Sequence, residues 1–203
     1  MISTFFYSLL GFIVVLIIIV AVIAKIYNNL VYARNSYKNA FAQIDVQLRR
    51  RFDLIPNLVA TVKKYIEHER QTLEAVISAR NQAQSSLNKA KNNPGAEGAM
   101  SALMGGLGQF EASLGRLLAV VENYPDLKAN ENIMQLNEEL SSTENRVAFA
   151  RQAFNDAVML YNNACEAFPA NIIASMFKFK SASMLQTPTN IVEKIQQAPK
   201  IEF

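Results

Sequence analysis

The groups in this chain that could do chemistry are few and scattered. His68 is the one histidine, held in Glu67-His68-Glu69, Cys165 is the one cysteine, and Gly105-Gly106-Leu107-Gly108 is the densest glycine cluster. A metal site needs three or four converging ligands, and no second His or Cys stands at ligand spacing from His68. Glu67 and Glu69, two apart on a helix, point to different sides. A carboxylate-bridged metal in a helical bundle would want Glu-x-x-His, and the position three before His68 is Tyr65. Cys165 has no base to pair with and falls beside an apolar seam, where a buried, inert thiol is expected. The glycine cluster lacks the Lys and the preceding strand of a phosphate loop. The expectation is therefore no enzyme: no catalytic residue, no metal and no cofactor.

The element that positions everything else is the beginning of the chain. Residues 5–24 read FFYSLLGFIVVLIIIVAVIA and are followed by the first ion, Lys25. Twenty residues of helix span about 30 Å, the hydrocarbon thickness of a bilayer. Fifteen of them are Leu, Ile, Val or Phe, so insertion is favourable by several kcal/mol at about 0.3 to 0.6 kcal/mol each. β-branched residues do not argue for a strand, because a lone segment in lipid satisfies its backbone only as a helix. The rival is a cleaved signal peptide ending at Val22-Ile23-Ala24, but the positive n-region it needs is missing. Lys25, Arg34 and Lys38 follow the span and no Lys or Arg precedes it, so the positive-inside rule puts the N-terminus outside and the body in the cytoplasm. The expected topology is a single pass of the membrane.

What remains is enough for one domain with a substantial core. Gly and Pro are few, and long segments rich in Ala, Leu, Asn, Gln and Glu lie between them. The single cysteine cannot form an internal disulfide, which fits a reducing compartment. Net charge is +3 but unevenly spread: residues 25–51 hold six Lys or Arg against one Asp. That basic stretch beside the membrane suits anionic lipid or a plain solvated face. No basic stripe interleaved with aromatics accompanies it, so no nucleic-acid partner is expected.

Nothing breaks a helix from Lys25 to Arg51, so the span continues as a rod, with Asp45, Arg49 and Asp53 four apart as surface ion pairs. Pro56 ends it, placing the first turn at Asp53-Leu54-Ile55-Pro56. The second helix then runs over 56–92, with Leu58, Val62, Tyr65, Ile66, Leu73 and Val76 on one side, and stops at Asn92-Asn93-Pro94-Gly95. A third pattern, Met100, Leu103, Leu107, Phe110, Leu114, Leu117 and Val121, ends at Asn123-Tyr124-Pro125-Asp126. The fourth is longest: Ile133, Leu136, Leu140, Thr143, Val147, Ala150, Phe154, Ala157, Tyr161, Ala164 and Phe168, in steps of three and four. The fold class is all-α, a single N-terminal transmembrane helix continuing into an antiparallel four-helix bundle. Boundaries fall at 1–4 for a short N-terminal tail, 5–24 for the span, 25–180 for the bundle and 181–203 for a tail that is either disordered or docked on a neighbour. Asn recurs within the helices, as in Phe154-Asn155-Asp156 and Tyr161-Asn162-Asn163; such amides fix helix register or form a polar seam for a ligand or partner.

Together these residues carry a resemblance. Tyr27-Asn28-Asn29-Leu30-Val31, then Ile44-Asp45-Val46-Gln47-Leu48-Arg49-Arg50-Arg51-Phe52-Asp53-Leu54-Ile55-Pro56-Asn57, resemble the LemA family of bacterial membrane proteins. Glu122-Asn123-Tyr124-Pro125-Asp126-Leu127-Lys128-Ala129-Asn130-Glu131-Asn132 is similar to its central motif, and Glu138-Glu139-Leu140, Glu144-Asn145-Arg146, Tyr161-Asn162 and Phe168-Pro169 to its last helix. The resemblance spans residues 27–180, while 96–108 and the tail beyond Ser181 look least family-like. It implies a membrane-anchored antiparallel bundle with no established catalytic residues, and some relatives are linked to membrane remodelling, including magnetosome formation.

Helix arithmetic adds a site. A second helix of about 36 residues, roughly 54 Å, overshoots a first of about 27, so the turn after it, and the end of the fourth helix, should return to the bilayer. Both places are apolar. Met100, Leu103, Met104 and Leu107 mark one, and Phe168, Ile172, Ile173, Met176, Phe177 and Phe179, closed by Lys178 and Lys180, mark the other. They are candidate contacts to lipid or a neighbouring subunit. The expected partners are the lipid bilayer and further copies of the chain, with an unidentified membrane or cytoplasmic protein besides. The favoured function is a scaffold that assembles laterally and organises or remodels the membrane; the alternative is a signalling or adaptor protein whose bundle binds a cytoplasmic partner.

Overall fold

A computed structural model describes residues 2–185 of the chain. Among them are six helices and no strand: α1 (Ile2–Lys63), α2 (Arg70–Asn92), α3 (Glu97–Glu122), α4 (Pro125–Lys128), α5 (Glu131–Glu166) and α6 (Ala170–Met176), with a 3-10 turn at Glu67–Glu69. Helix α1 has 62 residues and is about 93 Å long at 1.5 Å per residue. Its first part is long and apolar enough to cross a bilayer, and the large apolar side chains described between positions 6 and 22 are exposed. The rest of α1 lies antiparallel to α5, and α2 pairs with α3, giving the expected four-helix bundle.

Pro56 does not end the first helix. Proline removes the N–H that would bond the Phe52 carbonyl, and its ring crowds that same carbonyl. Arg80 on α2 supplies another donor: its Nε donates to the Phe52 carbonyl at 3.2 Å, and its Nη2 lies 3.6 Å from Asp53 Oδ1. The apolar stripe completes the reason, because Leu54, Ile55, Leu58, Val59 and Val62 are all buried and a turn at Pro56 would carry them out of the core. The chain turns at residues 64–66 instead, so α2 has 23 residues rather than the expected 37.

The ion pairs differ accordingly. Asp45 is buried and is held by Arg49 at 2.8 Å and by Lys91 of α2 at 3.0 Å, so it ties two helices together rather than decorating one. Arg49 turns its other end to Asn88 at 2.7 Å, and Asp53 faces Arg80. At the distal end Asn130 caps α5 by accepting from the N–H groups of Asn132 and Ile133, while its Nδ2 donates to Tyr65 at 3.0 Å.

The third apolar stripe holds, and so does the fourth except at its end, where Phe168 lies beyond α5 and is exposed. Met100, Leu103, Leu107, Phe110, Leu114, Leu117 and Val121 are all buried, as are Ile133, Leu140, Thr143, Val147, Phe154 and Tyr161 of α5. Phe52 and Phe110 meet edge to face at 5.2 Å, and Phe41 meets Phe154 at 5.6 Å. The glycine cluster lies inside α3, where a Cβ on Gly106 would stand 3.2 Å from the Ala83 Cα. Gly106 alone of the three serves the close approach of α2 and α3; a Cβ on Gly105 or Gly108 would meet open space.

Candidate functional site

The membrane end of the bundle is built by α6 and the last turns of the apolar part of α1. Ile173 and Ala174 of α6 are buried with Leu30, and Ile23, Ile26, Tyr27, Ala164 and Cys165 pack around them. Between Ile18, Ile19, Val22, Ile23 and Ile26 on one side and Pro169, Ile172 and Ile173 on the other runs a wholly apolar groove of about 220 Å³. Helix α6 therefore lies level with the end of the expected span. Its outer face stays bare: Phe168 is 82 % exposed, Met176 64 %, Ile172 54 % and Phe177 49 %.

Aromatic rings and cations form a belt just beyond. Tyr27 meets Phe177 at 4.8 Å and Phe179 at 5.6 Å, and the Arg34 guanidinium lies over the Phe179 ring at 5.0 Å. Lys25, Lys178 and Lys180 are exposed around this belt. Amphipathic rings beside an apolar face and lysines reaching outward are what a membrane–water boundary takes.

The other expected segment is elsewhere. Met100, Leu103 and Leu107 are buried and Met104 packs against the same core, so this group faces its own bundle rather than lipid or a second subunit. The turn between α2 and α3 lies away from the expected span as well. Gly95 lies against Tyr37, thirteen residues or about 20 Å along α1 from Ala24. The arithmetic that placed it lower took Pro56 as the start of α2. Of the second group, Ile173 is buried, Phe179 is half-buried, and Phe168, Ile172, Met176, Phe177, Lys178 and Lys180 are exposed.

Two of the asparagines have a task other than register. After α6, residues 179–185 run as an extended strap along α5, opposite in direction to it. Asn162 accepts from the Ala182 N–H and donates to the Ala182 carbonyl, both at 2.9 Å. Asn155 does the same for Leu185, at 2.8 and 3.1 Å. The Tyr161 hydroxyl donates to the Lys180 carbonyl at 2.8 Å, and on the other edge the Ser183 N–H donates to the Gly95 carbonyl at 2.7 Å. An Asn amide presents one donor and one acceptor side by side, so it can stand in for a neighbouring strand. Gly95 is required here: its φ is +83°, and a Cβ would come within 2.8 Å of the Ala182 Cβ. The seven-residue spacing of Asn155 and Asn162 was the signal available in sequence; Gly95 and Tyr27 had none beyond their place in a turn and a helix.

The residues weighed above for chemistry stand in ordinary surroundings among the described residues. Among the described residues no group of three or more His, Cys, Asp or Glu could hold a metal. Burial raises the Cys165 thiol above its ordinary range, opposite to what a nucleophile needs. Burial likewise raises Tyr161 and Tyr37. Arg51 is buried between Glu111 at 3.6 Å and Glu144 at 3.3 Å, over the Phe110 ring. Burial pushes the Glu111 carboxyl up, and Arg51 offsets part of that. This cluster braces α1, α3 and α5.

A helix long and apolar enough to span a bilayer, running unbroken into an antiparallel four-helix bundle with a short apolar helix at its foot, defines an all-α bundle protein with one candidate membrane span among the described residues. The model of the LemA family matches residues 40–203, and the chain belongs to that family. The match includes residues 96–108 and reaches the last residue, so the stretches that look least family-like lie within it. Magnetosome protein MamQ 2 and magnetosome protein MamQ 1 of Paramagnetospirillum magneticum are each 36 % identical over 89 residues, 44 % of this chain and 33 % of theirs. Magnetosome protein MamQ of Magnetospirillum gryphiswaldense is 36 % identical over 83 residues, 41 % of this chain and 30 % of its own. The chain thus aligns with about a third of the length of these relatives. It is a membrane-associated protein.

Proposed function

We propose that this chain is a non-catalytic, membrane-anchored scaffold that assembles laterally and organises or remodels the bilayer. The observation that carries the reading is the bare apolar face of α6 beside residues 18–26 of α1. A soluble bundle gains nothing by exposing Phe168, Ile172, Met176 and Phe177, whereas at the interface these side chains enter lipid or meet another copy. Lys25, Arg34 and Lys38 after the span support a single pass of a bacterial inner membrane with the bundle cytoplasmic. The name of the relatives, magnetosome protein, supports work tied to a membrane compartment.

Oligomeric size of the full chain in nanodiscs tests the reading. Large homo-oligomers are expected, with Met176→Asp and Phe177→Asp together reducing their size while the helical content stays. A wild-type chain that remains single in both detergent and nanodiscs would sink the scaffold. A second reading, an adaptor for a cytoplasmic protein, draws on Phe149 and Leu160, exposed on α5 away from the span. A stoichiometric soluble partner in a pull-down, lost with Phe149→Ala and Leu160→Ala, would favour it.

A further inference from the structure

The apolar groove at the foot of the bundle has the girth of one kind of ligand. It follows α1 from Ile18 to Ile26, eight residues or about 12 Å, and its volume of about 220 Å³ gives a mean cross-section of about 18 Å². A helix, about 10–12 Å across with its side chains, cannot enter such a channel, whereas an alkyl chain can. The direction agrees. In the reading proposed above α1 crosses the bilayer along its own length, so the groove points into the hydrocarbon as an acyl chain does. Its lining side chains are all Ile, Val or Pro, so nothing in it would hold water.

The bundle end of the groove is basic. Lys25 directly precedes Ile26, and the Tyr27 ring meets Phe177 at 4.8 Å, which brings Lys178 to the same end. Both lysines are exposed, and among the described residues neither is in an ion pair. Residues 1–44 and 157–185, which build this part of the molecule, hold five Lys or Arg and one acidic residue, Glu166. The backbone sets Lys178 apart further. Helix α6 closes with the Phe179 N–H donating to the Ala174 carbonyl at 2.9 Å, and Lys178 stands between them at φ 56°. Glycine is the usual occupant of this left-handed position after a helix, since a Cβ costs energy there. The chain keeps a lysine where glycine would be easier, at the mouth of an apolar groove.

We propose that this groove seats one acyl chain of an anionic phospholipid whose phosphate is held between Lys25 and Lys178. The site rests on the membrane-anchored reading above and adds a ligand class to it. Native mass spectrometry of the full chain, released from nanodiscs of phosphatidylglycerol and phosphatidylcholine in equal amounts, reads it directly. One phosphatidylglycerol retained per chain is expected, preferred at least about fivefold over phosphatidylcholine. Lys25→Gln together with Lys178→Gly removes that preference and leaves the helical content unchanged, since glycine suits φ 56°. Val22→Phe, which fills the groove, removes retained lipid of both kinds. No retained lipid, retention without preference, or a preference that survives loss of both lysines overturns the site. So does Val22→Phe leaving the lipid in place while it shrinks the assembly, which gives the groove to a second copy. The scaffold fails separately: single chains that still carry phosphatidylglycerol sink lateral assembly and support the site, and large oligomers without lipid do the reverse.

Discussion

Residues 100–107 and 168–177 are alike in apolar content and opposite in fate. Leu103 is fully buried, whereas Met176 is 64 % exposed. The difference lies in how far each apolar pattern continues along the chain. Met100 opens a stripe that runs in steps of three and four to Val121, so one face of α3 is apolar for its whole length and must be covered. Helix α6 has seven residues, mostly apolar; only Ile173 and Ala174 are buried, between α1 and the end of α5. Persistence of a period marks a segment as core, and apolar content without persistence leaves a face for something outside the fold.

Substitutions sharpen this contrast, read as thermal unfolding of the full chain in detergent. Leu103→Ala, which opens a cavity in the core, is expected to cost about 2–5 kcal/mol. Asn162→Ala comes next at about 1–3 kcal/mol, because the Ala182 N–H and carbonyl lose their partners where the strap meets the bundle. Arg80→Ala removes the donor on the Phe52 carbonyl and is expected to cost about 0.5–1.5 kcal/mol. Pro56→Ala should recover most of that loss, since it restores the helix's own N–H. Met176→Ser should stay within about 0.5 kcal/mol; a cost like that of Leu103→Ala would erase the distinction between the two segments.

Glu111 gives a smaller effect with a definite sign. Its folded-state carboxyl is raised, by burial first, so the folded state holds this proton more tightly than the unfolded chain does. The group's contribution is therefore greatest in acid and is lost as pH rises through the raised folded value. Glu111→Gln should flatten the fall in stability over that window, measured as unfolding midpoint against pH.

The stripes of α3 and α5 were legible because each repeats over many turns, and one face of a helix must then be dry. The path through Pro56 was not, because the group that makes it possible is Arg80, on another helix. A local rule about proline holds until a distant donor meets the freed carbonyl, and the misplaced turn then misplaced the membrane level of residues 100–107. Asn155 and Asn162 stood out as mediocre helix formers, but their partners lie in a strap with no periodicity of its own. Helix α6 was read from composition, and only α1 and the end of α5 beside it say which of its residues are covered.

Helix α1 is continuous from Ile2 to Lys63, so in the arrangement proposed above bundle and span would lean as a single lever with the bilayer as its fulcrum. The arm beyond Ala24 is 39 residues, about 58 Å, and a lean of about 20° swings its tip sideways by about 20 Å. Hydrophobic thickness governs such a lean, so a thinner or thicker bilayer resets where the Tyr65–Asn130 tip points. Copies rooted in one patch of membrane would share that inclination, and their tips would converge or splay with the lipid beneath them.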